Sequence, residues 1–400
     1  MDRSLLQYYG FIITLLSSIG LWPYQNENLR RFMNPTITIL LTIYLIPQFV
    51  PVVTQEFEMI VFLKNMWSIM ITLGSLTKYV AFWRHAEKLK AFMEDMIHDW
   101  NTMDDEELKI LKEYAYTGRR HSIIFALFMY PTMFLTVVSH FTSELLDIVA
   151  PLNETRPHVS PIVTEYFIDE QKYFFLIASY QCLMMIISGT TFIASEPIVM
   201  MLIQHLASLF VIVCHRMREA ILDCIPVSGV HGRQFHPVNK YKLIKSVESH
   251  RRALKFSTDL MSTFGVSYSV FLIIGVLSES LVLFRLSQTI FLVNRMGETL
   301  QSIIMIMSMF VYMFYINFLV QHMVDRSNNI FTFLYNTDWY RTSVSTQKML
   351  LFIMSKSFRV IDMKILIVYY PSIEGFATVR VFNLYCHAVI IFISRKSIFF

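Results

Sequence analysis

Charge is missing from five long apolar stretches of the chain. Residues 32–55 lie between Arg31 and Glu56, 121–142 between Arg120 and Glu144, and 173–195 between Lys172 and Glu196. Residues 260–278 and 299–324 obey the same rule. A bilayer core takes about 20 apolar residues per helix, so each stretch predicts a membrane span. Two more spans are expected with charge inside them. Residues 61–83 contain Lys64 and Lys78 near their ends, where long cationic stems reach the headgroups. Residues 375–394 contain Arg380, tolerable at the interface or facing water. The pattern predicts an all-α membrane protein with seven transmembrane helices.

Ahead of these spans, residues 5–24 are apolar but broken by Gln7, Ser17, Ser18 and Gly20, and they close on Gly20-Leu21-Trp22-Pro23. No small-residue cleavage site follows, so a cleaved signal peptide is not expected. The segment reads as an interfacial helix, with an extra span as the alternative. The chain then divides into an amino-terminal interfacial helix (1–31), spans one to six with long helical extensions (32–324), a polar helical region (325–369) and the seventh span with the carboxy terminus (370–400).

Basic residues between the spans set the orientation. One side holds Arg3, Arg30 and Arg31, seven Lys and Arg in 84–120, nine in 216–255 and six in 326–364. The other holds Lys64, Arg156, Lys172, Arg285 and Arg295, so the balance is twenty-five against five. The positive-inside rule then predicts a cytoplasmic amino terminus and an external carboxy terminus. That is opposite to a rhodopsin-like receptor, whose usual disulfide and Asp-Arg-Tyr-like group are also missing. The sequon Asn153-Glu154-Thr155 falls in the long external loop after the third span, making Asn153 a candidate glycosylation site. Within the polar segments 84–120 and 196–259, apolar residues recur at helical spacing, as at Leu202, Leu206, Leu209 and Val213. Both segments read as helices that carry spans into the cytoplasm, the second interrupted by a loop at 226–237.

Composition supports the bilayer and excludes other classes. With 54% hydrophobic and 16% charged residues and a mean hydropathy of +0.48, the chain is too apolar for an ordinary soluble protein. A net charge of +4 distributed by topology gives no reason to expect nucleic acid. The four cysteines, Cys182, Cys214, Cys224 and Cys386, have no CxxC spacing, and none lies in an external loop, so neither a disulfide framework nor a zinc site is expected. His231 and His236 read as solvated loop residues. No Walker loop, GxSxG, HExxH or dinucleotide fingerprint is present, so neither an enzyme nor a cofactor is expected. No internal repeat points to a transporter of inverted halves.

The last sixty residues carry a more specific pattern. Trp339-Tyr340 is followed by Lys348-Met349-Leu350-Leu351, then Val360-Ile361-Asp362-Met363-Lys364, then Ser372-Ile373-Glu374-Gly375-Phe376-Ala377-Thr378-Val379. This order resembles the carboxy-terminal signature of the insect odorant receptors: a Trp-Tyr, a Lys-Leu-Leu helix, an Ala-Gly-Lys-like turn and a Ser-Leu-Glu-x-Phe-x-x-Val start to the final helix. The Gly20-Leu21-Trp22-Pro23 group resembles a second, amino-terminal feature of that family. After Val379 the chain departs from the pattern, with Tyr385-Cys386-His387 where the family has a Ser-Tyr-Phe-like group.

The resemblance implies an odorant-binding subunit of a heteromeric, ligand-gated, non-selective cation channel in the plasma membrane of olfactory sensory neurons. Its partners would be a small volatile organic ligand, membrane lipid and the family's shared co-receptor, the whole forming a heterotetramer. The family's pocket lies in the outer half of the membrane among the second to sixth spans. By depth, the candidates here are Trp67, Met70, Met133, Phe134, Val137, Tyr173, Ile177, Tyr180, Met305 and Met309, although Met and aromatic residues at helical spacing equally suit ordinary packing. Registered from Ser372 to Val379, Val389 and Ile393 fall where the family has its narrow hydrophobic gate; facing lipid or neighbouring helices is the plainer role for both. Trp339, Tyr340, Leu350, Leu351 and Met354 give the polar helix an apolar face, and by resemblance that helix joins subunits. A gustatory-type receptor channel of the same architecture, or a nonconducting relative with an altered last helix, stays open as an alternative.

Overall fold

A computed structural model describes residues 3–54, 59–141, 144, 147–148, 162–169, 171–224, 237–290, 296–357 and 369–397. Asn153, His231 and His236 lie outside these residues, as does the expected loop at 226–237 except for Pro237. The described residues form helices α1 (Arg3–Ser18), α2 (Glu27–Thr54), α3 (Met59–Arg84), α4 (Ala86–Thr102), α5 (Asp105–Val138), α6 (Phe174–Cys224), α7 (Pro237–Gln288), α8 (Met296–Tyr335), α9 (Val344–Ser357) and α10 (Ile373–Ser397), with short 3-10 turns between some of them. Five stretches, carried on α2, α5, α6, α7 and α8, are long and apolar enough to cross a membrane. Helices α3 and α10 occupy the stretches expected for the second and seventh spans, and the chain is a membrane protein.

Helix α6 is the centre of the fold. In its most apolar stretch 89% of residues are buried, against 17–39% in those of the other four, while Phe175, Leu176, Leu183 and Ile186 nearer its start are exposed. It packs on α1, α2, α3, α5, α7 and α8. Without a hydrophobic drive between helices in lipid, such packing depends on close approach. At Gly118 a Cβ would come within 2.5 Å of Met201 Sδ, so a larger residue there would require the Met201 side chain to move aside. At 51 residues and 1.5 Å per residue, α6 is roughly 77 Å long. That far exceeds a hydrocarbon core of about 30 Å, so its second half projects out of the bilayer.

The projecting halves of α6 and α7 pack with α4 and the start of α5. A capping box starts α5: the Glu107 N–H donates to Asp104 Oδ1 at 2.9 Å, and the Asp104 N–H reaches back to Glu107 Oε2 at 3.4 Å. Glu107 also pairs with Arg216 of α6, whose Nη2 lies 2.7 Å from Glu107 Oε2. This hydrogen-bonded carboxylate raises the Arg216 pKa above its usual value. Helix α1 is 16 residues, too short to span, and buries Ile12 and Leu16 among residues of the main core. It ends where Gly20 adopts φ +74°, a left-handed conformation that suits glycine.

One sequence expectation fails here, and the reason recurs in α7. Lys78 does not reach the headgroups; it is 2% exposed and pairs with Glu196 of α6, itself fully buried. Nor does the first charge after Ser278 stand free: α7 runs on to Gln288, and Glu279 inside it is buried and paired with Arg380 of α10. Reading span ends from the first charge assumes that charge must leave the bilayer, whereas a buried charge with a hydrogen-bonded partner can stay.

Candidate ligand-binding site

A cavity of about 170 Å³ lies between α3, α5, α6, α7 and α8, with Tyr44 of α2 closing one side. An apolar cavity of about 150 Å³ takes up benzene, so this one holds a compact molecule of roughly that size or slightly larger. Its wall is mainly methionine, isoleucine and aromatic carbon, with hydroxyls spaced among them. Most of those hydroxyls are already engaged. Thr132 donates to the Met129 carbonyl at 2.7 Å, Ser308 to that of Met305 at 2.8 Å and Thr72 to that of Ser68 at 3.0 Å. Ser188 donates to Ser75 at 2.9 Å and Ser68 to Gln48 at 2.8 Å. Tyr44 Oη and Ser278 Oγ, by contrast, are buried on the wall with no hydrogen-bond partner among the described residues. A buried hydroxyl left unpaired costs about 1–3 kcal/mol, which a ligand oxygen would recover.

Phe192 and Phe271 form one end of the cavity, stacked with centroids 5.3 Å apart. Lys78 Nζ sits against both rings, 4.4 and 4.1 Å from their centroids. Lys78 donates to Tyr312 Oη at 2.9 Å, and Tyr312 and Tyr268 donate to Glu196 at 3.1 and 3.0 Å. The Lys78–Glu196 pair thus ties α3, α6, α7 and α8 together beside the cavity.

The structure separates the residues expected to meet a ligand. Trp67, Met70, Met133, Met305 and Met309 are on the wall. Phe134 is 64% exposed and lines a different groove, beside Phe11, on the outside of α5. Tyr173 is exposed, and Val137 and Ile177 are not on the wall. Tyr180 stands one ring behind it, edge-on to Tyr44 at 6.0 Å. Depth alone placed these five, but a helix face, not a depth, decides which side chains enter a cavity. Tyr44, Ser188, Phe192, Phe271 and Ser278 are wall residues that depth did not select. The i, i+4, i+7 spacing of Phe271, Gly275 and Ser278 on one face of α7 is the signal that could have found three positions on that wall.

Farther along, the apolar face of α9 also divides. Leu350 and Met354 are buried in the chain's own core against α8, so they are not free to join subunits. Trp339 is half-buried against the same core, while Tyr340 and Leu351 are exposed. Val389 and Ile393 lie on the backbone of α10, and their side chains are outside the described ones.

Comparison with known proteins agrees with the helical architecture. The chain resembles the insect olfactory receptor OR5 of Machilis hrabei in complex with eugenol, with a TM-score of 0.78, 14% identity and coverage of 98% of this chain and 99% of that one. It resembles another structure of the same receptor with a TM-score of 0.73, 14% identity and coverage of 97% and 98%. At this identity the likeness establishes the fold. No curated protein sequence matches the chain. The family model described as 7tm Odorant receptor matches residues 58–382, which include the Lys78–Glu196 and Glu279–Arg380 pairs and most of the cavity wall, so the chain belongs to the 7tm odorant receptor family.

Proposed function

We propose that the chain is the odorant-binding subunit of a ligand-gated, non-selective cation channel in the plasma membrane, assembled with the family's co-receptor. The observation that carries this reading is the cavity: about 170 Å³, mainly apolar, lined by five helices and holding two hydroxyls without a partner among the described residues. Such a site selects a neutral molecule of roughly 6–10 heavy atoms with one or two oxygens. The similar Machilis receptor structure holds eugenol, an oxygenated aromatic, which supports the same ligand class here. The positive-inside bias puts the amino terminus in the cytoplasm and the cavity in the outer half of the membrane.

In this reading the ligand binds more tightly to the open than to the closed state, because only a difference in affinity shifts the equilibrium. Helix α10 lines the pore, with Val389 and Ile393 as a hydrophobic constriction that hydrates on opening. Tyr340 and Leu351 offer the subunit contact. The test is whole-cell current in cells expressing the chain with and without a family co-receptor, challenged with small oxygenated volatiles and hydrocarbons of matched shape. We expect current that requires the co-receptor and favours the oxygenated series. Surface-expressed, assembled protein that answers no member of either series would overturn the reading.

A further inference from the structure

Helix α10 is attached to the bundle by a second buried polar group. Arg380 pairs with Glu279 of α7, whose side chain is 4% exposed. Asn383, one turn on, donates to the other Glu279 oxygen at 2.7 Å and accepts from Ser280 at 3.4 Å. The Arg380 guanidinium also lies over the rings of Phe310 on α8 and Phe376 on α10, at 4.5 and 4.8 Å. One carboxylate therefore serves two side chains of α10, while Arg380 Nε and Nη2 stay buried without hydrogen-bond partners among the described residues. An arginine with idle donors beside a shared carboxylate has a second, bidentate arrangement open to it once Asn383 lets go.

The position of this group matters more than its strength. Ser278 lines the cavity and the next residue, Glu279, holds α10. Met309 lines the cavity and the next residue, Phe310, carries the Arg380 guanidinium. The same two helix turns line the cavity on one face and touch α10 on the adjacent face. Packed helix turns move as units and do not deform smoothly. A ligand that displaces Met309 or engages Ser278 must therefore shift Phe310 and Glu279 as well.

We propose that Glu279, Arg380 and Asn383 form a clasp that couples occupancy of the cavity to the position of α10. Glu279 and Arg380 are positioning residues, touching neither the ligand nor a permeating ion. The proposal rests on the ligand-gated channel reading above. It excludes the simpler role for Arg380, a free positive charge on the pore wall that repels cations.

The experiment uses the full chain with its co-receptor and compares E279Q, R380Q and the exchanged pair E279R/R380E with the unaltered protein at equal surface level. Three quantities are read: ligand-free current, the ligand concentration for half-maximal current, and relative sodium and potassium permeability. Either neutral variant should shift the half-maximal concentration or the ligand-free current by about tenfold or more, within the usual range of coupling between sites. Permeability ratios should not change, and the exchanged pair should move back toward the unaltered protein. Where a neutral variant does not reach the surface, R380K and E279D keep the charges but alter the reach, and carry the same expectation. Unaltered dose-response and ligand-free current in these variants would overturn the clasp alone. So would a changed permeability ratio that the exchange does not repair. An unaltered protein that gives no current would overturn the channel reading and the clasp together.

Discussion

Replacing Lys78 with methionine tests the energetics beside the cavity. The substitution keeps the side chain's length and apolar stem but leaves Glu196 buried without its cation. Breaking a buried pair by removing one partner costs about 3–5 kcal/mol, because the survivor stays desolvated and uncompensated. What each survivor keeps decides where in that range it falls. After K78M, Glu196 retains the hydroxyls of Tyr312 at 3.1 Å and Tyr268 at 3.0 Å. Hydrogen bonds to a charged group contribute about 1.5–3 kcal/mol each, so K78M belongs at the lower end. After E196Q, Lys78 retains Tyr312 Oη and the faces of Phe192 and Phe271. Cation–π contacts give about 0.5–2 kcal/mol and no opposite charge, so E196Q belongs at the upper end.

The double variant K78M/E196Q leaves no buried charge at this site and should be less harmful than either single change. The assay is loss of the folded, assembled species on heating in detergent, followed by size-exclusion fluorescence. The expected order of stability is unaltered protein, double variant, K78M, E196Q. Singles whose effects simply add in the double variant would show that the two charges do not interact, and would refute the reasoning.

Four further outcomes follow from the geometry. S278A and Y44F should each raise the half-maximal concentration for oxygenated ligands about two- to tenfold, the equivalent of one lost hydrogen bond of about 0.5–1.5 kcal/mol, and leave hydrocarbon responses unchanged; a shift common to both series would mean the hydroxyls are not used. At Gly275 a Cβ would lie 3.7 Å from Met309 Cε, an ordinary contact, so G275A should fold normally while G275L should abolish responses to the largest active ligands first, as dose-response curves across a size series will record. L351E should prevent co-purification with the co-receptor while leaving the monomer folded, whereas L350E, at a fully buried position, should lose surface expression altogether. His250, outside the spanning segments, has its pKa lowered below the ordinary 6.5 by burial. The unfolded chain therefore binds this proton more readily, stability falls as pH drops through and below about 6.5, and H250Q should flatten part of that fall in melting curves from pH 8 to 5.

The helical bundle was legible because long charge-free runs leave few other structures for a chain in lipid. The charges inside the bundle were not, because Lys78 and Glu196, or Glu279 and Arg380, are far apart along the chain and become neighbours only through packing. The side of the cavity lined by Trp67, Met70, Met133, Met305 and Met309 could be approached from depth. Tyr44 and Ser278 could not, since an unused hydroxyl is visible only once the partners of every other hydroxyl are known. The same limit separates Leu351 from Leu350: both are apolar residues of one short helix, and only the position of α8 assigns one to the core and the other to the surface.

The long-range ion pairs also set a timetable for biosynthesis. The ribosome delivers α3 before α6, so Lys78 enters the bilayer ahead of its counter-ion, and a lysine at a helix centre carries an insertion penalty of roughly 2.5–3.5 kcal/mol. Glu279 in turn enters on α7 and waits for Arg380, which follows on α10. A nascent chain is therefore marked as unfinished by an unneutralised charge during two separate intervals, and a product truncated between α7 and α10 keeps that mark, open to the machinery that extracts and degrades incompletely assembled membrane proteins.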